Sequence, residues 1–477
     1  MMCAGVDADG KAPCDIRLLY MEQAVFAAYG GPYERGARMA NEIQPAQKNA
    51  SLFKSILSGC LGNVLEWYDY GLYGYFAVVI SAEFFTSEDP VVGILMSFMV
   101  FGVGFVVRPI GGLIMGAYAD KHGRVKSLTV TIMAIGICTM LMGCLPTYEQ
   151  IGIMAPILLT VLRLLQGLAT GGEFGSALTF ISEFNNGKNT SFLVSWQPFS
   201  VGVGMLIGSI TGLICTSVLS QPDLYAWGWR IPFLIGIVVA IYGVYLRKSV
   251  PEPPEFEKMK EQKKSAEEDH TPVKVLFKKH WVAMITNIGL LAGTSVSYYL
   301  LVTYLPTYIK EFVGGTMLEG FIVNTAVVAV YLILCPFAGM FADKFGRRKS
   351  VIIACLGFIV LAYPVFWAVI NGHAVLIMIC ALACLLPFQS LNAVAVATAA
   401  SEVYPTETRN SGVGLAYNLA AAVFGGMAPA IATAIIAGTG SAISLAFFII
   451  GADVVSIVVA IFLMKRFYRK DGTPVNS

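Results

Sequence analysis

Long apolar stretches separated by short hydrophilic turns occupy most of this chain. Each stretch is long enough to cross the ~30 Å hydrocarbon core of a bilayer, which takes about 20 helical residues. With 56% hydrophobic and only 13% charged residues, the chain lacks the polar surface that a water-soluble protein needs. The stretches show no strand-like alternation and are too long for membrane β-strands. The sequence predicts an all-α membrane protein with twelve spans, at 52–80, 91–119, 127–145, 151–183, 191–219, 229–247, 281–310, 320–341, 350–370, 374–404, 411–437 and 442–464.

A duplicated hydrophilic turn divides these spans into two equivalent halves. The segment GAYADKHGRVKS at Gly116–Ser127 recurs as GMFADKFGRRKS at Gly339–Ser350. A second repeat places a Ser-Glu pair near the end of span 4, at Glu183, and another near the end of span 10, at Glu402. Parallel repeats of this kind predict two helix bundles with a cavity between them. The predicted organisation is a tail at 1–50, a six-helix bundle at 51–247, a linker at 248–280, a second six-helix bundle at 281–466 and a tail at 467–477.

Positive charges concentrate on one side of the predicted membrane. Lys and Arg cluster in both duplicated turns, in the linker and after the last span, whereas loops of opposite parity contain only Lys310 and Arg230. By the positive-inside rule, both termini face the cytoplasm. The net charge of +2 follows from this placement and does not indicate nucleic-acid binding. The first 50 residues show no signal-type apolar region, and we expect translation to begin at Met39, with residues 1–38 a gene-model extension.

Several motifs together resemble the major facilitator superfamily and, within it, the metabolite:proton symporters. The turn G-x-x-x-D-K-x-G-R-x-K occurs between spans 2 and 3 and again between spans 8 and 9. Further strings of the symporters are GNVLEWYDYGLYGYF in span 1, RPIGG in span 2, RLLQGLATGGEFG in span 4, WGWRIPF at span 6 and EVYPTETR after span 10. The resemblance implies twelve helices in two bundles and proton-driven uptake of a small metabolite across a bacterial inner membrane.

Charged side chains inside the spans are candidates for proton coupling, because each costs about 2.5–3.5 kcal/mol on insertion scales. Glu66 and Asp69 share one face of span 1, and Arg108 and Arg163 lie in spans 2 and 4. All four histidines lie in loops or at helix ends, so a carboxylate must carry the proton. We expect Asp69 or Glu66 to be the carrier, with Arg163 or Arg108 as its partner. The alternative is a static ion pair that holds the bundle together.

Two further acids lie within predicted spans. Glu173 follows two glycines in the GGE string of span 4, and two roles fit it equally, proton coupling and capping of the cytoplasmic gate. Asp453 lies about 11 residues into span 12 and outside every motif above, so the sequence assigns it no role.

The duplicated turns predict a charge network at the cytoplasmic face. In each turn an arginine follows the aspartate by four residues, close enough to pair with a carboxylate. Because both halves carry the pattern, we expect a latch that holds the outward-facing state and breaks when the halves rock. The alternative is a basic loop that only sets topology. The predicted latch residues are Asp120, Arg124, Glu183, Asp343, Arg347, Glu402 and Arg409.

Span 7 carries the best indication of the substrate, in the string SVSYYLLVTYLPTY. Aromatic faces bind quaternary ammonium groups, and amides with an arginine bind a carboxylate. Tyr304 and Tyr308 lie further out, where interfacial anchoring or helix packing suits them. The pattern YYxLxTYxPxY resembles the proline/betaine branch, whereas LAYNLAAAVFGG in span 11 resembles the citrate and 2-oxoglutarate branches. The predicted substrate-binding residues are Tyr298, Tyr299, Gln166, Gln389 and Asn392, while Trp196 and Gln197 of span 5 lie nearer the cytoplasm.

The combined prediction is a proton-coupled secondary transporter that imports a small metabolite by alternating access. A proline/betaine-type zwitterion is the expected substrate, and a citrate, 2-oxoglutarate or other dicarboxylate is the alternative. A transporter-like membrane sensor is the hypothesis from a different class. The sequence shows no nucleophile elbow, metal cluster or phosphate loop, and its ten cysteines form no CxxC pair. We therefore expect no enzyme activity, cofactor or metal, and a monomer whose partners are its substrate, protons and the lipid bilayer.

Overall fold

The computed structural model describes residues 62–122, 124–171, 175, 178, 189–248, 272–372, 374–469 and 474–475. All of them belong to one unit, Ser58–Ser477. Their regular structure is helical apart from an isolated bridge between Tyr468 and Pro474. The predicted tail at 1–50, the beginning of span 1 and residues 249–271 of the linker lie outside the described part.

The first half contains the helices of spans 1 to 6. Short helices at Tyr148–Ile151 and Gln221–Asp223, and a π-helix at Leu224–Gly228, connect them on one side. The helices are 62–75 and Ala77–Phe84 for span 1, Pro90–Val106 and Arg108–His122 for span 2, Arg124–Cys144 for span 3, Met154–Thr170 for span 4, Thr190–Val194 and Trp196–Val218 for span 5, and Arg230–Lys248 for span 6.

The second half begins with a helix at Pro272–Lys279, within the predicted linker, and ends with a 3₁₀ turn at Met464–Arg466. Its spans are Trp281–Tyr298, Tyr299–Thr303, Leu305–Tyr308 and Ile309–Val313 for span 7, Met317–Phe345 for span 8, Arg347–Gly372 for span 9, Val375–Ala383 and Leu386–Glu402 for span 10, Thr406–Ala420, Ala421–Gly426 and Ala428–Thr439 for span 11, and Ser444–Phe462 for span 12.

Most of these helices have the length and apolarity of membrane spans. Eight of the described helices meet both requirements, and two bent pairs would each add one. Met154–Thr170 of span 4 is apolar but shorter, and its predicted continuation to 183 is mostly outside the described residues. Large side chains on the outer surface remain exposed, such as Ile333 at 63%, Val360 at 65% and Leu376 at 70%. Such a surface suits contact with lipid rather than water, and the chain is a multi-pass membrane protein.

Each half packs mainly within itself. Span 3 packs against spans 4 and 6, and span 12 packs against spans 7 and 9. The halves meet where span 5 packs against span 8 and where span 2 packs against span 11. Because spans 2 and 8 are equivalent in the repeat, as are spans 5 and 11, these two contacts are related by the internal symmetry of the fold.

Facing glycines bring spans 2 and 4 into backbone contact. A Cβ atom on Gly167 would lie 1.9 Å from the carbonyl oxygen of Gly104, and one on Gly171 would lie 2.1 Å from that of Arg108. Small residues allow membrane helices to approach this closely. The close approach places the arginines of both spans beside span 1.

Several predicted spans, among them spans 7 and 10, are not single continuous α-helices. Span 10, expected at 374–404, bends by 41° between Ala383 and Leu386, because Pro387 in the second helix lacks the amide hydrogen that would continue the first. Span 7, expected at 281–310, changes to a π-helix at Tyr299–Thr303 and restarts at Leu305–Tyr308. Pro306 lies in the first turn of that short helix, where a proline is tolerated.

Candidate functional site

Asp69 of span 1 is the centre of a buried hydrogen-bond network with spans 3 and 4. Its Oδ2 accepts from Arg163 Nη1 at 3.2 Å and from Gln166 Nε2 at 2.6 Å, and its Oδ1 accepts from Thr139 Oγ1. Arg163 Nη1 also donates to Gln166 Oε1 at 2.5 Å. All four side chains are buried. One charged and two neutral donors therefore compensate the buried carboxylate.

Glu66, one helical turn before Asp69, pairs with the other buried arginine. Arg108 Nη2 donates to Glu66 Oε1 at 2.8 Å. The Arg108 guanidinium also lies 4.2 Å from the ring centre of Phe105 and 4.4 Å from that of Tyr70, within the range of cation–π attraction. The four charges predicted in the first half thus form two ion pairs, Glu66 with Arg108 and Asp69 with Arg163.

A cavity lies between the two halves, beside this network. The cavity volume is about 80 Å³, below the roughly 300–1,000 Å³ of typical small-molecule sites. Five aromatic side chains from spans 1, 7, 8 and 11 form much of the wall, namely Trp67, Tyr298, Tyr299, Tyr331 and Tyr417. Its polar side chains are Gln197, Asn287, Thr294 and Ser295. No acidic or basic side chain belongs to the wall that the structure describes.

The two ion pairs and the side chains that bond to Asp69, together named the charge network, lie behind the side chains of this wall. Phe105, which packs on the Arg108 guanidinium, contacts the ring of Tyr299 edge-on at 5.5 Å. Trp67 contacts Tyr298 edge-on at 5.7 Å and Tyr299 at 5.9 Å. Because Trp67 lies between Glu66 and Asp69 in span 1, a movement of this helix changes both the cavity and the ion pairs.

The end of the fold that carries the duplicated turns, here named the turn end, holds a contact between the halves. Asp343 of span 8 accepts hydrogen bonds from the backbone amides of Ser191 at 2.8 Å and Phe192 at 2.9 Å, at the start of span 5. Gly339 permits this approach, since a Cβ there would lie 2.7 Å from the Phe192 Cα. A carboxylate at a helix N-terminus is favoured by the free amides and by the helix dipole.

Arg347 connects this cap to span 10. Its guanidinium lies 3.4 Å from Asp343 Oδ1 and 3.0 Å from Glu402 Oε1. Tyr468, after span 12, donates to Glu402 Oε2 at 2.6 Å. The preceding Gly346 has a φ of 89°, a left-handed conformation that favours glycine, which explains the glycine in the duplicated turn.

The opposite end of the cavity is closed by packing between the halves. Phe98 of span 2 contacts Tyr304 of span 7 with ring centres 5.3 Å apart. Farther out, Lys310 Nζ donates to Tyr225 Oη at 2.9 Å. The cavity therefore extends from the level of Tyr298 toward the turn end, where Asn287 belongs to its wall.

This architecture matches that of a known protein family. The family model of the Major Facilitator Superfamily matches residues 59–429 and 317–475. The chain belongs to the Major Facilitator Superfamily. The predicted family and the predicted fold, twelve helices in two six-helix bundles, are confirmed.

This facilitator is similar along most of its length to characterised members of the superfamily. It is 31% identical to the proline/betaine transporter of Escherichia coli K12, over 90% of this chain and 87% of that protein. It is 32% identical to the citrate-proton symporter of Klebsiella pneumoniae, over 91% of this chain and 98% of that protein. Its fold matches the solved structure of a proton:xylose symporter with a TM-score of 0.72, at 16% identity, over 90% of this chain and 98% of that one.

The predicted substrate-binding residues of the facilitator separate into two groups. Tyr298 and Tyr299 line the cavity, but the three amides do not. Gln166 bonds to Asp69 in the charge network, and the Gln389 amide nitrogen lies 3.5 Å from the backbone oxygen of Thr294. Asn392 is buried, and neither polar atom of its side chain has a hydrogen-bond partner among the described residues.

The predicted latch residues are described only in the second half of the facilitator. Asp343, Arg347 and Glu402 come together, and Arg409 is half-buried in span 11. The side chains of Asp120 and Arg124, together with Glu173 and Glu183, lie outside the described part of the chain.

Interfacial anchoring, one of the two roles expected for Tyr304 and Tyr308, is wrong. Both side chains are fully buried. The Tyr304 hydroxyl is 2.9 Å from Thr433 Oγ1, and Tyr308 donates to the backbone oxygen of Ala442 at 3.0 Å. Packing of span 7 against span 11 and the chain beyond it explains their burial, so helix packing, the other role expected for them, is what the structure shows.

Sequence reasoning did not assign three aromatic residues of the wall, Trp67, Tyr331 and Tyr417. Two of them lie in strings that identify the family, Trp67 in GNVLEWYDYGLYGYF and Tyr417 in LAYNLAAAVFGG. Their motif membership was the available signal, but only the assembled halves place the rings around one space.

Proposed function

We propose that this chain is a proton-coupled symporter that imports a small zwitterion of the proline/betaine type by alternating access. The observation that carries the proposal is the cavity wall, which combines five aromatic rings with no charged side chain among its described residues. Aromatic faces attract a quaternary or secondary ammonium group once it leaves water. Relatives named as proline/betaine transporters support the same substrate class.

The wall also offers hydrogen-bond donors for the carboxylate of such a substrate. The hydroxyl groups of Tyr298 and Tyr299 and the Gln197 amide nitrogen are buried, with no partner among the described residues. Unpaired buried donors are unfavourable, so a ligand that accepts from them gains affinity. A citrate-like anion would bring several negative charges to a wall whose described side chains include no cation, which favours the zwitterion over the organic acids named for other relatives.

Proton coupling is assigned to the ion pairs of the first half, with Asp69 or Glu66 as carrier and Arg163 or Arg108 as partner. When the halves rock, a shift of span 1 against spans 2 and 4 would separate a carboxylate from its arginine. A buried carboxylate that loses its cation takes up a proton. The direct contacts at 3.2 Å and 2.8 Å support this role.

The remaining parts of the proposal concern placement. The positive-inside rule assigns the turn end and both termini to the cytoplasm, and the bacterial relatives favour an inner membrane. In that orientation the Asp343–Arg347–Glu402 contacts form a cytoplasmic latch, with the linker at 248–280 between six-helix bundles at 51–247 and 281–466. The cavity is built within one chain, which supports function as a monomer with substrate, protons and lipid as its partners.

Uptake into proteoliposomes under an imposed proton gradient tests the proposal. Labelled glycine betaine is the substrate, and unlabelled proline, glycine betaine, citrate and 2-oxoglutarate are competitors. We expect gradient-dependent accumulation that proline and betaine inhibit. Inhibition by citrate or 2-oxoglutarate alone would identify an organic-acid symporter, and saturable binding without flux would identify a sensor.

A further inference from the structure

Asp453 is a carboxyl group buried in the second half, with no cationic partner in the part of the chain that the structure describes. It lies in the middle of span 12, and its side chain is fully buried. Its Oδ2 accepts from Ser297 Oγ of span 7 at 3.0 Å, and the Cys355 thiol of span 9 lies within hydrogen-bonding reach. Among the described residues, no Lys, Arg or His forms an ion pair with it.

The charged groups that face span 12 lie away from this position. Arg348 of span 9 donates to the backbone oxygens of Ala460 at 2.9 Å and Ile461 at 3.0 Å. These carbonyl groups are roughly 10 Å along the helix from Asp453 at 1.5 Å per residue. The described groups that do face Asp453 are a hydroxyl and a thiol, which do not neutralise a carboxylate. A buried charge without a partner is strongly unfavourable, whereas a protonated carboxyl group is not.

Span 7 separates Asp453 from the cavity. At 100° per residue, Gly293 and Ser297 lie on the face toward span 12, while Thr294, Ser295 and Tyr298 lie on the face that lines the cavity. A Cβ on Gly293 would lie 2.7 Å from Asp453 Oδ1, so the two helices are in close contact here. Directly after Tyr298 the helix becomes a π-helix, a feature frequent at functional sites.

We propose that Asp453 is a second proton-binding site of the transport cycle, in addition to the ion pairs of the first half. A proton binds to one carboxylate oxygen, the charge is neutralised, and span 7 can pack against span 12 as observed. Release of the proton restores the carboxylate and favours separation of the two helices, which moves the cavity wall on the other face of span 7. The inference rests on the proposed proton symport.

The oxygen atoms around Asp453 favour a proton over a metal cation. A bound cation needs several oxygen ligands around it, whereas one hydroxyl, that of Ser297, bonds to the carboxylate. The neighbouring Ser456 Oγ accepts from the Gly293 amide at 2.8 Å and donates to the Gly289 oxygen at 2.8 Å. These bonds already use the hydroxyl, which leaves few ligands for a cation.

The test replaces Asp453 by asparagine, which keeps the shape and removes the titration. In proteoliposomes with a pH gradient of about one unit, accumulation of labelled glycine betaine should fall about tenfold, the amount that one coupled proton supports. Counterflow without a gradient should persist. Asp223→Asn, at an exposed position before span 6, is the matched control and should accumulate like the wild type.

Ser297→Ala provides a second measurement if the first variant folds poorly. It removes the hydroxyl that donates to the charged carboxylate, so the pH of half-maximal uptake should shift to a higher value. Unchanged accumulation in Asp453→Asn, loss of counterflow together with accumulation, or dependence of wild-type uptake on Na⁺ would each overturn the inference. If the wild type itself shows no proton-driven uptake, the proposed function fails instead.

Discussion

In the first half of this protein Glu66 and Asp69 each pair with an arginine, whereas in the second half the described residues that face Asp453 offer it a hydroxyl and a thiol. The cavity wall shows the opposite imbalance, because the second half supplies four tyrosines and the first half one aromatic residue, Trp67. Duplication therefore produced two similar folds with different chemistry. Among the described residues, the first half holds paired charges, and the second half holds most of the aromatic cavity wall and a carboxyl group without an ion pair.

The largest expected effect follows from breaking an ion pair of the first half. Arg163→Met leaves the buried Asp69 without its cation, which should destabilise the protein by about 3–5 kcal/mol. Asp453→Asn leaves no cation behind and should change stability far less. Thermal unfolding of the purified proteins measures the difference, and equal destabilisation by both variants would contradict the comparison.

Neutralising the acid of that pair should separate coupling from transport. Asp69→Asn keeps three of the network's side chains and should lose about tenfold accumulation per unit of pH gradient, while counterflow persists. Proteoliposome uptake with and without the gradient measures both activities. Intact proton-driven accumulation would remove Asp69 from the candidates and leave Glu66.

A smaller effect is expected at the aromatic wall of the second half. Tyr298→Ala should raise the apparent KM for glycine betaine about tenfold, because a desolvated cation–π contact contributes about 1–2 kcal/mol. Tyr298→Phe keeps the ring and loses only a donor, so its KM should lie between those of the wild type and the alanine variant. Tyr242→Ala, on the exposed outer surface, is the control. Equal KM values for all variants would exclude Tyr298 from the site.

The smallest effect is expected at the contact that joins the halves. Asp343→Asn weakens the cap on the first turn of span 5 by about 0.5–2 kcal/mol, which favours the state open at the turn end. A cysteine introduced at Ala400, in the cavity wall, should then react a few-fold faster with a water-soluble maleimide. An unchanged or slower rate would show that this contact does not control opening.

The membrane character, the duplication and the family can be recognised from the amino-acid sequence without a structure. Apolar length within one segment decides whether a helix spans a bilayer, and the repeated ADKxGR turn marks both halves without any tertiary information. The sequence also indicated that the two acids and two arginines of the first bundle can neutralise one another, but it left their pairing open.

Which groups meet becomes visible only in the folded protein. Asp69 pairs with Arg163 and Glu66 with Arg108, because the glycine contact of spans 2 and 4 fixes where each arginine approaches span 1. The fold placed Gln166 beside Asp69 and Arg163 rather than in the cavity wall, and it buried Tyr304. It also showed that Asp453 has no cationic partner among the described residues. These outcomes depend on contacts between helices far apart in sequence, which the composition and periodicity of a single segment do not specify.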